Sequence, residues 1–274
     1  MAAPIGIFDS GYGGLTVFKA IKEKMPEYDY IYLGDNARAP YGDRSFEAVY
    51  HFTLEAVKWL FDQGCQLIIL ACNTASAKAL KTIQMHDLPL LGSEKRVLGV
   101  IRPTAEIIGQ YSDSKTVGIL GTKGTILSNT YPIEINKFYP ELNVYQQACP
   151  LWVPIIEHKM ADKKEADAIV QMDIESLLAQ SKNIDTILLG CTHYPLLEET
   201  IKKHLPEGIS TISQADIVAD SLQDYLSRHK DIEQNIGKNG HIAFYTTDNT
   251  EDFNTNAQTF FGSSIQSTHV DIQH

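Results

Sequence analysis

Two short stretches carry the residues best suited to chemistry. "TILLGCTHYP", Thr186 to Pro195, and "LIILACNTAS", Leu67 to Ser76, each run through four apolar or β-branched residues into a small residue, a cysteine and a threonine or asparagine. Each has the outline of a buried strand that ends in a tight turn with a thiol at its tip. A lone buried cysteine is most often an inert small hydrophobe, and Cys65 and Cys149 are read that way. Cys72 and Cys191, at equivalent strand ends, are read as a functional pair. A helix N-terminus following each thiol is expected to lower its pKa by favouring the thiolate.

The pair suggests proton transfer at a carbon stereocentre. Inversion requires a base on one face and an acid on the other, and two thiols can exchange those roles with the hand of the substrate. An amino-acid α-proton is very weakly acidic. Such a site must therefore hold the reacting groups close and stabilise a carbanionic transition state with fixed dipoles. The remaining strand ends supply Asp9-Ser10, the loop "GDNARAPYG", Asn73-Thr74, Thr122 and Thr192-His193. Asp9 could equally be a turn residue, since Asp-Ser-Gly is ordinary turn chemistry. His193, two residues beyond Cys191, is read as managing a proton. The glycines of "DSGYGG" fit neither G-x-G-x-x-G nor a Walker loop, and they are read as a tight strand-to-helix turn with exposed backbone donors.

These residues need a scaffold of alternating strands and helices. "PIGIFDSG", "YIYLGD", "LIILAC", "TVGILGT", "TILLGC" and "HIAFYTT" read as strands. "GGLTVFKAIKEKM", "SFEAVYHFTLEAVKWLFDQG" (capped by Ser45, stopped by Gly64), "KEADAIVQMDIESLLAQ" and "DFNTNAQTFF" read as helices. The alternation predicts an α/β fold with mostly parallel sheets. "IGIFDSG" echoes "VGILGTKG", and the two cysteine stretches echo each other in the same order. The expected architecture is two pseudo-symmetric α/β domains, each a mostly parallel sheet flanked by helices, with the active site between them. The first domain is expected to be discontinuous, residues 1–98 plus 210–274, and the second to span 99–209.

Composition narrows the classes. The 274 residues are 43% hydrophobic and 21% charged with a formal net charge of −11, enough apolar content for a packed core and no basic run for nucleic acid. No signal-peptide pattern and no membrane-length apolar run occurs. Four scattered cysteines without C-x-x-C argue against a disulfide framework or a zinc site, and the reducing cytoplasm is the expected compartment.

The motifs "FDSGYGGLTV", "LGDNARAPYG", "ACNTAS" and "LLGCTHYPLL", together with "VGILGTKGTI" and "ACPLWVPIIE", resemble in order those of the cofactor-independent glutamate racemases. The resemblance runs from about Ile5 to Leu197. It implies that Cys72 and Cys191 are the two acid/bases, with Cys72 serving the D form. It further implies that Asp9 assists Cys72, while His193 and Glu157 assist Cys191. Substrate-holding residues implied by it are Asp9, Ser10, Tyr41, Gly42, Asn73, Thr74, Thr122, Thr125, Thr192 and His193. It implies no cofactor and no metal, glutamate as substrate, no nucleic-acid or membrane partner, a homodimer, and D-glutamate made in the cytoplasm for peptidoglycan, cell-wall biogenesis and cell shape. Tyr12, the charged "SEKRVLGVIRPT" and the tail "YTTDNTEDF" depart from the family pattern without touching the cysteines. The runners-up are a racemase or isomerase of another small carboxylate such as aspartate, and a non-catalytic anion-binding module.

Overall fold

The computed structural model describes residues 3–272. Residues 1–2 and 273–274, the ends of the first expected domain, lie outside the described residues. Every residue of Ile5–Asp9, Tyr30–Gly34, Leu67–Leu70, Thr116–Gly121 and Thr186–Gly190 is buried. That is the signature of parallel strands covered on both faces, where continuous apolar runs replace alternation.

Ten strands occur in the described residues: β1 (Ile5–Asp9), β2 (Tyr30–Gly34), β3 (Leu67–Leu70), β4 (Arg96–Gly99), β5 (Thr116–Gly121), β6 (Asn143–Ala148), β7 (Thr186–Gly190), β8 (Ser210–Ile212), β9 (Ile242–Thr246) and β10 (Ser267–His269). They form a six-stranded sheet of order β10-β9-β2-β1-β3-β4 and a four-stranded sheet of order β6-β5-β7-β8. All pairings within both sheets are parallel. The order β2-β1-β3-β4 recurs as β6-β5-β7-β8, so β1 corresponds to β5 and β3 to β7. The two sequence echoes fall on these corresponding strands.

The chain passes between the sheets twice, after Gly99 and between Ile212 and Ala215. The second passage lies a little beyond the expected division at 209/210, because Ser210–Ile212 pairs with β7. The short "STI" carries too little apolar length to announce itself as a strand.

Local signals explain the helices that frame the site. Ser45 accepts a hydrogen bond from the Ala48 N–H and caps Phe46–Asp62, and Gly64 ends that helix at φ +91°, where glycine alone is unstrained. Val49, Thr53, Val57 and Leu60 recur at helical spacing and are buried, the three apolar ones in the core that also covers Phe8 and Leu33. Gly14–Lys24 packs between Ala215–Arg228 and Thr250–Phe261. The return of the chain after the second passage thus completes the layer over the first sheet.

Candidate active site

In open parallel sheets, ligands sit beyond the carboxyl ends of the strands. Here those ends converge. Asp9 closes β1, Cys72 follows β3, Thr122 follows β5, and Cys191, Thr192 and His193 follow β7; all line one cavity. Ser10, Tyr41, Gly42, Asn73, Thr74 and Glu157 line it as well.

The two halves touch around the cavity. Thr74 Oγ1 lies 2.9 Å from Thr122 Oγ1, and the Gly124 N–H donates to the Gly42 carbonyl at 2.8 Å. On the other side, Thr16 Oγ1 donates to the Thr192 carbonyl at 3.1 Å. Gly13 lies so close to the second half that an added Cβ would fall 2.3 Å from both His193 Nδ1 and Thr192 Oγ1.

The two thiols have different surroundings. Cys72 Sγ lies 3.4 Å from Ser10 Oγ and accepts from the Ala75 N–H at 3.4 Å. Cys191 Sγ lies 3.9 Å from His193 Nδ1, and His193 Nε2 lies 2.9 Å from Glu157 Oε1. The expectation of a depressed thiol pKa is wrong for Cys72. Burial first, then the nearby Asp9 carboxylate, push it up to about 12, and the Ser10 and Ala75 donors only partly offset them. A helix terminus favours the thiolate less than the loss of water around the sulfur disfavours it. Asp9 itself is raised by burial, against the His193 charge and the Gly11 and Gly14 N–H groups.

His193 moves the other way. Burial disfavours its charged form, yet the Cys191 and Glu157 partners outweigh that and hold it up to about 10. A raised folded-state pKa adds stability that is full below the unfolded value near 6.5 and is lost as pH rises toward about 10. The expected result is a melting temperature that falls more steeply from pH 6.5 to 10 in the wild type than in His193→Asn. Parallel thermal-melt profiles of the two proteins check it, and equal slopes would remove the ion pair.

Some expected residues act differently from the simplest reading. Thr125 does not line the cavity; it is fully buried behind Thr122, 3.0 Å from its hydroxyl, and supports it. The Tyr41 hydroxyl is engaged by Asp35, which also accepts from Arg38 Nε at 2.7 Å and Thr247 Oγ1 at 2.8 Å. With its hydroxyl so committed, Tyr41 lines the cavity without a free phenol to offer a ligand.

Sequence reasoning missed Cys149, Pro150, Val153 and Pro154, an apolar wall of the cavity, and Lys123 and Asp43 beside it. The motif "ACPLWVPIIE" held the signal for the first four. Burial, and after it Asp173, hold the Cys149 thiol well above the usual range. Asn73 is 2% exposed, and its Oδ1 has no hydrogen-bond partner among the described residues. A buried acceptor left so costs about 1–3 kcal/mol, which a ligand donor can recover. Among the described residues no group of three or more His, Cys, Asp or Glu is arranged to hold a metal ion. Nor is any helix there long and apolar enough to cross a membrane.

The sequence profile of Asp/Glu/hydantoin racemases matches residues 14–222, most of the chain. The chain belongs to the Asp/Glu/hydantoin racemase family. Glutamate racemase 2 of Caldanaerobacter subterraneus subsp. tengcongensis is 36% identical over 274 residues, 98% of each chain. Among solved structures, glutamate racemase isoform RacE1 of Bacillus anthracis superimposes with a TM-score of 0.88 at 36% identity, covering 98% of this chain and 97% of that one. The glutamate racemase of Francisella tularensis, solved with D-glutamate, gives a TM-score of 0.87 at 33% identity over 99% and 98%. The expected α/β architecture is thus that of this racemase family, and the chain is an isomerase of the racemase type.

Proposed function

We propose that the protein interconverts L- and D-glutamate by a two-thiol proton transfer that uses no cofactor. The observation that carries this reading is the convergence of Cys72 and Cys191, from corresponding strands of two similarly ordered sheets, on one cavity. One sulfur enters as thiolate and takes the α-proton, while the other enters as thiol and protonates the carbanion from the opposite face. Each sulfur leaves in the state in which its partner began, so the next turnover of the other enantiomer finds its base ready.

The surroundings fit these roles. A thiol raised to about 12, as Cys72 is, remains a proton donor at neutral pH, and once ionised it is a stronger base toward a reluctant C–H. The Cys191 sulfur has an imidazolium at Nδ1, held in turn by Glu157, that can stabilise its anion. Hydroxyls of Ser10, Thr74, Thr122 and Thr192 border the cavity, with Lys123 at its edge, and can donate to carboxylates. The two halves act in this reading as domains that enclose substrate and exclude water. A homodimer, a cytoplasmic place of work and delivery of D-glutamate to peptidoglycan belong to the same reading and rest on the motif resemblance.

The test follows each glutamate enantiomer in D2O with purified protein and no added cofactor. Optical activity should decay to zero while the newly formed enantiomer carries deuterium at the α-carbon. Turnover of aspartate in preference to glutamate would transfer the reading to the smaller substrate. An unchanged signal with both would leave an anion-binding module.

A further inference from the structure

Both passages between the sheets are tied to the cavity by one buried chain of amides. Gln214 lies within the second passage, and its Nε2 donates to the carbonyl of Val100, just after the start of the first, at 3.2 Å. The same nitrogen donates to Thr104 Oγ1 at 2.8 Å. Gln214 Oε1 then accepts from Asn73 Nδ2 at 2.6 Å, and Asn73 Nδ2 also donates to the Tyr131 hydroxyl at 2.8 Å. All four side chains are at most 4% exposed.

The direction of this chain is fixed by chemistry at its far end. A backbone carbonyl can only accept. Thr104 Oγ1 spends its own hydrogen on the Val100 carbonyl, at 3.3 Å, so toward Gln214 it too can only accept. Gln214 must therefore turn its nitrogen to Val100 and Thr104 and its oxygen to Asn73. Asn73 must answer with its nitrogen. Its oxygen is the end left over, and that oxygen is the buried acceptor without a protein partner on a residue that lines the cavity. The reverse orientation of Asn73 would set two amide oxygens against each other. Tyr131 imposes no such choice, because a hydroxyl both donates and accepts.

We propose that Gln214 is a positioning residue that sets the polarity of Asn73, keeping its carbonyl oxygen available to accept from the α-ammonium group of the substrate. The inference rests on the glutamate reading, since ammonium is the one strong donor that glutamate brings to the site. Of the carboxylates that also line the cavity, Asp9 already spends Oδ1 on the Gly11 N–H at 2.8 Å, and Glu157 Oε1 faces His193 Nε2 at 2.9 Å. Gln214 touches no reacting atom. It acts through Asn73, and it joins that residue to both passages of the chain.

Glutarate, which has both carboxylates of glutamate and no amine, separates this role from general loosening. Dissociation constants of racemic glutamate and of glutarate are measured calorimetrically for the wild type, Gln214→Met and Tyr131→Phe. In Gln214→Met glutamate should weaken roughly tenfold or more relative to glutarate, the loss of a hydrogen bond to a charged group. Tyr131→Phe should keep the wild-type ratio, since it leaves the polarity of Asn73 fixed. Equal weakening of both ligands in Gln214→Met, or the same ratio change in Tyr131→Phe, would overturn the proposal. Should Gln214→Met fail to fold by circular dichroism, Gln214→Leu takes its place with the same selective loss expected, whereas Gln214→Glu still offers Asn73 Nδ2 an acceptor oxygen and should keep the wild-type ratio; a selective loss in Gln214→Glu would also overturn the proposal. Racemisation by the wild type with an unchanged ratio in the variants removes only the role of Gln214. A wild type that neither racemises nor binds glutamate removes both readings.

Discussion

Replacing Cys72 or Cys191 singly by serine should lower racemisation of both enantiomers by roughly 10²–10⁴-fold, the range lost with a general acid or base. A serine hydroxyl fits the space, and Ser10 and the Ala75 N–H can hydrogen-bond to it as they do to Cys72 Sγ. It cannot, however, be ionised to a useful extent at these pH values. In the proposed two-thiol transfer each turnover in either direction needs both sulfurs, one to remove the proton and one to return it. The loss should therefore appear with L- and D-glutamate alike, and mostly in kcat. Polarimetry of both substrates, with circular dichroism to confirm folding, checks it. Near-normal activity in either variant would rule out the two-thiol chemistry, whereas the same substitution at Cys65, buried under Gly6, should cost stability and leave turnover in place.

Gly13→Ala should be nearly as damaging, for a mechanical reason. Gly13 has φ −57° and ψ −38°, a conformation any residue adopts, so backbone strain plays no part. The added methyl would instead fall 2.3 Å from His193 Nδ1 and from Thr192 Oγ1. To admit it, the second half must move away from the first or the imidazole must turn off the line between Cys191 and Glu157. A displacement of about 1 Å in such a site costs about 10²-fold in kcat/KM. Gly64→Ala is the matched control. Its φ of +91° disfavours alanine, but nothing lies within 4 Å, so it should cost about 1–2 kcal/mol of stability and leave kcat/KM alone. If Gly13→Ala behaves like Gly64→Ala, the two halves do not need so close an approach.

The contrast between these residues also marks what a sequence makes legible. Strand ends, the Ser45 cap and the Gly64 stop depend on neighbours in the chain, and their signals survive without a fold. The pairing of Cys72 with Cys191 was legible because duplication repeated the local pattern. The thiol pKa was not, because it depends on how completely the two halves exclude water from the sulfur, a property of the closed cavity. Thr125 sits in the same motif as Thr122, yet only packing decides that one faces the cavity and the other stands behind it. Gln214 gave no local signal at all. Its partners Asn73 and Val100 are 141 and 114 residues away along the chain, and only the double passage between the sheets brings them together.

The unequal surroundings of the two sulfurs have a thermodynamic consequence. Mirror-image substrates have identical free energies in water, so L- and D-glutamate must stand at equal concentrations at equilibrium whatever catalyses their exchange. The ratio of kcat/KM in the two directions is thereby held at unity at every pH. The imidazolium beside Cys191 and its absence beside Cys72 cannot appear in that ratio. They can appear only in how kcat and KM are divided within each direction, with any gain in turnover for one hand matched by a proportionate rise in its KM. A nearly symmetric scaffold with chemically unlike ends thus leaves the enzyme free to saturate differently with each enantiomer while remaining indifferent to which it makes.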